Sequence, residues 1–185
     1  HGGKGNAAKL QRLLSEINID VDVLQPVLCH SKTVSSSSVR DAIILGDMEE
    51  AAELLGHPFS VSFPVVSGKK LGRKMGFPTI NQNFPEGHII PRYGVYACTA
   101  TVDEKIYIAV TNVGIRPTVS DADAAVNCET HILDYSGDLY GKEIKIDFFK
   151  MIREEITFSS IEALTAQLKK DIECAKAFFA RPHNS

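Results

Sequence analysis

The chain has 185 residues, with 20 Lys plus Arg against 23 Asp plus Glu, 44% apolar residues and no Trp. That is a globular composition, with material for one sizeable core and part of a second domain. A net charge of −3 excludes the basic excess of a sequence-independent binder of nucleic acid or anionic membrane. No apolar run reaches the roughly 18 residues of a membrane span, and no signal-peptide pattern opens the chain, so a cytoplasmic protein is expected. Cys29, Cys98, Cys128 and Cys174 form no CxxC pair and read as reduced packing residues, not as a zinc site or disulfide framework. The opening run His1-Gly2-Gly3-Lys4-Gly5-Asn6 reads as an interior loop, so the sequence is expected to be a piece of a longer protein.

From Ala7 to Ile17, Leu10, Leu13, Leu14 and Ile17 recur at helical spacing, and Val21 to Leu24 reads as a strand closed by Pro26. Together they look like a small α/β remnant. Ser38 and Asp41 have roughly the spacing of a capping box for a helix from about Val39 to Leu45, ended by Gly46. Asp47 caps a second short helix, Met48 to Leu55, which Gly56 and Pro58 stop.

At Pro58 the period becomes two. Phe59, Val61, Phe63 and Val65 alternate with small polar residues and Pro64, which belongs at a sheet edge. Further strands are predicted at Phe77 to Asn81, Gly94 to Val102, Lys105 to Val113, Val126 to Leu133 and Glu143 to Phe149, with tight turns at Asp103-Glu104 and Ser136-Gly137-Asp138. Six strands with few helices predict a mainly β fold, a six-stranded antiparallel Greek-key barrel. Ser159 and Glu162 then fit a capping box, and Ile161, Leu164, Leu168, Ile172, Ala175 and Phe179 form the stripe of a long C-terminal helix lying on it. The domain boundary is placed between residues 57 and 58. Residues 1–57 hold 5 basic and 8 acidic side chains and the remainder 15 of each.

No acid lies between Glu53 and Glu86, and the gap contains Gly68-Lys69-Lys70-Leu71-Gly72-Arg73-Lys74-Met75-Gly76. Three glycines at intervals of four allow close backbone approach to a ligand, and the cations favour a polyphosphate; by itself such a loop is a weak signal and reads sooner as a mobile solvated hairpin. The following Thr79 and Asn81 stand two apart on one strand face, where a hydroxyl and an amide oxygen are hard, neutral ligands suited to Mg²⁺. Glu129 sits in a poorly charged strand and shares a face with His131. Taken alone, such a glutamate reads as a solvated surface residue.

Gly76-Phe77-Pro78-Thr79-Ile80-Asn81 resembles the Gly-Phe-Pro-Thr-x-Asn signature of riboflavin kinases. The likeness continues through Tyr93-Gly94-Val95-Tyr96, Asn112-Val113-Gly114, Arg116-Pro117-Thr118, Glu129-Thr130-His131-Ile132-Leu133-Asp134, Gly137-Asp138-Leu139-Tyr140-Gly141 and Ile152-Arg153-Glu154, roughly Gly46 to Phe179. It implies an enzyme making FMN and ADP from riboflavin and ATP with Mg²⁺. It makes Thr79 and Asn81 the metal ligands. Gly68, Lys70, Gly72, Arg73, Gly76, Phe77, Pro78, Thr79 and Asn81 become the ATP site. Glu129 becomes the catalytic base, also touching the flavin, and Arg153, placed just after the last strand, a flavin-binding residue. Asn112 and Arg116 fall in a loop at the nucleotide pocket. Tyr96, Tyr107 and Phe149 could stack on the flavin ring, though core packing suits each as well or better.

Val34-Ser35-Ser36-Ser37-Ser38-Val39-Arg40 resembles a motif near the end of the nucleotidyltransferase domain in bacterial bifunctional riboflavin kinase/FMN adenylyltransferases. There Ser36, Ser37 and Arg40 would hold ATP phosphates at a helix N-terminus. The His-x-x-His signature of that domain does not occur in this sequence, so no adenylyltransferase activity is expected of it. Two rivals are a flavin- or nucleotide-binding module without turnover and an oligonucleotide-binding barrel. The second lacks the interleaved aromatic and basic stripe of that use.

Overall fold

The computed structural model describes residues 6–68, 71–116 and 125–180. The chain divides into two compact units after Val34. In the first, α1 (Ala7–Ser15) is capped by the Asn6 side chain, which accepts from Lys9 N–H at 2.9 Å, and it buries none of its residues. The predicted strand at residues 21–24 does not form. An extended segment becomes a strand only with a ladder partner, and none is present among the described residues; instead β1 (Leu28–Cys29) and β2 (Lys32–Thr33) make a minimal hairpin.

The second unit opens with α2 (Ser36–Leu45) and α3 (Met48–Leu55), which end at Gly46 and Gly56 as expected. The cap of α2 lies three residues earlier than the sequence suggested. Ser35 Oγ accepts from Ser38 N–H at 3.1 Å, and Ser38 Oγ accepts from Ser35 N–H at 3.0 Å, so a second serine does the work assigned to Asp41. Ser35→Ala should lower the stability of this unit by about 1 kcal/mol, read from urea unfolding. Asp47 caps α3 by accepting from Glu50 N–H at 3.0 Å.

The strands are β3 (Phe59–Pro64), β4 (Thr79–Asn83), β5 (Gly94–Val102), β6 (Lys105–Arg116), β7 (Ala125–Ile132) and β8 (Glu143–Glu154), with a single turn of helix, α4 (Leu71–Lys74), before β4. They form one antiparallel sheet in the order β3-β8-β5-β6-β7-β4. β5 to β7 are a meander, and β8 returns beside β5, so Ser136-Gly137-Asp138 lies in a long connection and is not a tight hairpin turn. Asp103 and Glu104, both at positive φ, do form the two-residue turn that joins β5 and β6. Pro64 lies on the edge strand β3, where its missing N–H is harmless.

The sheet curls until its edges β3 and β4 meet, but through one bridge, Val66 with Asn81, and not a ladder. Gln82, fully buried, reaches across from β4 and donates to the carbonyls of Phe63 (2.6 Å) and Ile144 (2.8 Å). A side chain thus ties the seam that backbone bonds leave open. β5 is buried on both faces: Tyr96, Cys98 and Ala100 point inward with Phe148 and Ile146, while Val95 and Ala97 lie under the last helix, α5 (Ile161–Phe179). The cap of α5 is Ser160, one residue later than predicted. Burial pushes the Cys98 thiol up and the Cys128 thiol up to about 12, so both stay protonated packing groups. Cys174 is exposed and Cys29 half-buried, so the packing role expected of all four fits only two.

Candidate active site

Directly opposed residues on neighbouring strands present their side chains on one face. The register sets Asn81 (β4) opposite Glu129 (β7), Glu129 opposite Asn112 (β6), Asn112 opposite Val95 (β5) and Val95 opposite Arg153 (β8). One row across four neighbouring pairs therefore joins the proposed base, a metal-ligand candidate and the arginine. Arg153 lies within β8 and not after it, because the strand runs on to Glu154. Irregularities in the β5–β8 pairing leave Ile152 opposite no partner, so Ile152 and Arg153 in succession both face α5, which strict alternation forbids. A bulge here aims the arginine.

Glu129, His131, Arg153, Thr79, Asn112, Gly72 and Phe77 line a cavity of about 210 Å³, roofed by Leu164, Leu168 and Ile172 of α5. Glu129 is exposed to it. His131 Nδ1 donates to the Pro78 carbonyl at 2.8 Å, and its ring meets Phe77 edge-on. A second cavity, about 520 Å³, is lined by Arg73, Pro78, Thr79, Ile80 and Thr130 and by Tyr135 to Tyr140. Thr79 is common to both. Along β7, Glu129 and His131 face the smaller cavity and Thr130 and Ile132 the larger, so the β4–β7 pair is the wall between them.

The glycine loop is built onto this wall. A Cβ on Gly68 would lie 2.3 Å from the Asn81 amide nitrogen, and one on Gly72 would lie 2.4 Å from the Phe77 carbonyl oxygen and 3.4 Å from Thr79 Oγ1. Glycine lets the backbone lie against the Asn81 side chain at one position and against the Phe77 carbonyl, beside Thr79, at the other. Phe77 N–H donates to Gly72 O at 2.9 Å and closes the turn. Gly76 is exposed, Arg73 and Pro78 line the larger cavity, and Lys70 lies outside the described residues. Asn81 is 6% exposed; its Oδ1 accepts weakly from Asn127 Nδ2 at 3.4 Å.

Asn112 stands on a strand, not in a loop, and faces the Glu129 cavity. The side chain of Arg116 and residues Pro117 and Thr118 lie outside the described set. Tyr96 packs on Phe148, Tyr107 on Tyr135, and Phe149 on Phe178 and Phe179, and none of the three lines either cavity. Ser36 and Ser37 form the first turn of α2 with Arg40 exposed beyond them, and none lines either cavity. Glu155 and Phe158 line the smaller cavity unforeseen, since they follow the last strand with no periodic signal. Asn112 Nδ2 donates to Glu155 Oε1 at 3.2 Å.

A family profile described as "Flavokinase: Riboflavin kinase" matches residues 55–179, more than half of the sequence. The chain belongs to the riboflavin kinase family. Relatives named bifunctional riboflavin kinase/FMN adenylyltransferase agree along most of it. The one from Listeria monocytogenes is 35% identical over 97% of this chain and 56% of its own length, and that from Bacillus subtilis 39% over 80% and 48%. The relative from Escherichia coli K12 is 38% identical over 96% and 56%. The chain thus spans about half the length of these curated relatives, corresponding to their C-terminal module. A solved structure from Streptococcus pneumoniae, titled a macrolide-efflux protein, superposes with a TM-score of 0.79 at 31% identity, covering 89% of this chain and 53% of that one. No helix among the described residues is long and apolar enough to cross a membrane.

Proposed function

We propose that this chain transfers the γ-phosphoryl group of ATP to the 5′-hydroxyl of riboflavin, giving FMN and ADP. The observation that carries the reading is the convergence of Glu129, Thr79 and Arg153 on one cavity beneath α5, with the glycine loop laid against Thr79 and Asn81. Phosphoryl transfer asks a protein for in-line positioning and charge neutralisation more than for covalent chemistry. The larger cavity, within the usual 300–1,000 Å³ of ligand sites, takes the body of ATP, with Arg73 towards the phosphates, and the γ-phosphate reaches the Glu129 cavity past Thr79, which borders both. The smaller takes the polyol end of riboflavin, and at 210 Å³ it cannot enclose the whole flavin, whose ring extends along the roof of α5.

Glu129 accepts the proton of the 5′-hydroxyl as that oxygen bonds to the γ-phosphorus. The bond from that phosphorus to the bridging oxygen of ADP breaks, and the electron pair leaves with ADP. The donor set at Thr79 and Asn81 fits Mg²⁺: a hydroxyl and an amide oxygen, both hard and neutral, two residues apart on one strand face. When bound there, the ion would screen charge between phosphate oxygens. Residues 58–185 are read as this kinase module, and residues 1–57 as the tail of a nucleotidyltransferase domain with linker helices. Ser36, Ser37 and Arg40 would then serve a phosphate site in the longer protein, where FMN adenylyltransferase activity would reside; the twofold length of the relatives supports this.

Incubation with riboflavin, ATP and Mg²⁺, followed by chromatographic resolution of riboflavin, FMN and FAD, should show FMN and no FAD. Binding of both substrates without either product would overturn the kinase reading of this chain in favour of a binding module.

A further inference from the structure

Asp171 is a carboxylate in the wrong place for packing. It lies on α5 between Leu168 and Ile172, in the stripe that covers the sheet, and is 1% exposed. Burying a carboxylate there costs several kcal/mol unless it is paired, and an apolar residue would serve helix–sheet packing as well or better. Its partners explain it. Arg153 Nε donates to both Asp171 oxygens, at 3.0 and 3.1 Å, and Arg153 Nη2 donates to Oδ2 at 2.8 Å. Gln167, one turn earlier on α5, donates to Oδ1 at 2.8 Å and fixes the carboxylate from the other side.

Arg153 is 18% exposed, and that exposure opens on the Glu129 cavity. Nη1 also donates to the Glu154 carbonyl at 2.9 Å, and the guanidinium lies 5.8 Å from the centroid of the Phe158 ring. These bonds use three of its five N–H groups and leave one on each terminal nitrogen for an acceptor atom. Two further carboxylates, Glu129 and Glu155, line the same cavity and would draw a loose guanidinium onto themselves. The bidentate grip of Asp171 holds it away from both.

We propose that Asp171, steadied by Gln167, is a positioning residue for riboflavin: it sets Arg153 so that its two open N–H groups meet a carbonyl or hydroxyl oxygen of the flavin. This rests on the kinase reading and extends it to the C-terminal helix, which becomes part of the acceptor site and not only a cover. The steady-state assay on the whole chain compares Asp171→Asn, Gln167→Leu, Arg153→Gln and the double variant Arg153→Gln/Asp171→Asn, with riboflavin affinity measured by fluorescence quenching. Asp171→Asn should raise the KM and Kd for riboflavin about tenfold, leave the KM for ATP unchanged and alter kcat by less than about twofold. Gln167→Leu should raise the same constants about threefold, and it carries the test if Asp171→Asn does not fold. The double variant should be no worse than Arg153→Gln alone, because Asp171 acts through Arg153. Additive losses, or a parallel fall in all constants with a lowered Tm, would make the pair merely structural and overturn the inference. If the unmodified chain forms no FMN, the function reading itself fails; if it does, these outcomes judge Asp171 alone.

Discussion

Glu129→Gln should slow FMN formation by about 10²–10⁴-fold while riboflavin and ATP continue to bind. The amide keeps the volume and one acceptor atom but cannot take the hydroxyl proton. Glu129 is flanked in its row by Asn81 and Asn112, both neutral amides, so within that row no neighbour offers a second base. His131 is the natural competitor, sharing the face of β7 and the cavity. Its Nδ1 donates to the Pro78 carbonyl and its ring meets Phe77, which steadies the start of β4 and leaves Nε2 as the unprotonated nitrogen of the neutral ring. Single-turnover rates with both ligands saturating decide the matter. If Glu129→Gln turns over at the normal rate and His131→Gln does not, the roles are reversed.

The second large effect should come from Gly72→Ala, with kcat/KM for ATP falling about 10²-fold. A methyl group there would stand 2.4 Å from a backbone oxygen, and real Cβ contacts do not fall below 3.0 Å, so the loop or the start of β4 must move. The oxygen belongs to Phe77, two residues before Thr79, and the same turn is closed by the Phe77 to Gly72 hydrogen bond. A displacement approaching 1 Å in groups that orient a transferring phosphoryl can cost about two orders of magnitude. Steady-state kinetics with ATP varied at saturating riboflavin reads it. Unchanged kinetics would mean that the loop does not rest on Thr79 during turnover.

Much of this was open to a reader of the sequence, for reasons that differ by element. Strand β3 announces itself because a half-buried pleat alternates, whereas β5, buried on both faces, shows as a continuous run of small, β-branched and aromatic residues. The glycine spacing and the Thr79–Asn81 pair are local patterns, so they survive without knowledge of the fold. The cap of α2 was misread because four consecutive serines offer several equivalent registers, and only the backbone geometry selects Ser35. The strand at residues 21–24 was misread because alternation speaks of a face and not of a partner. Arg153 was placed beyond its strand because the pairing with β5 is irregular at Phe149, where the predicted strand stops, and a broken period looks like an end. Asp171 gave no signal at all: its meaning is a contact 18 residues away in sequence, and a lone acid beside an apolar stripe is indistinguishable from a solvated one.

Thr79 belongs to both cavities, and the pair β4–β7 is a partition one sheet thick between them. Whatever filling one chamber does to that partition is felt in the other, and thermodynamic linkage makes the exchange symmetrical: if nucleotide tightens the hold on flavin by some factor, flavin tightens the hold on nucleotide by the same one. Two separately measured affinities would then not predict the occupancy of the ternary complex. Any cooperativity carried this way would be a property of a single strand pair.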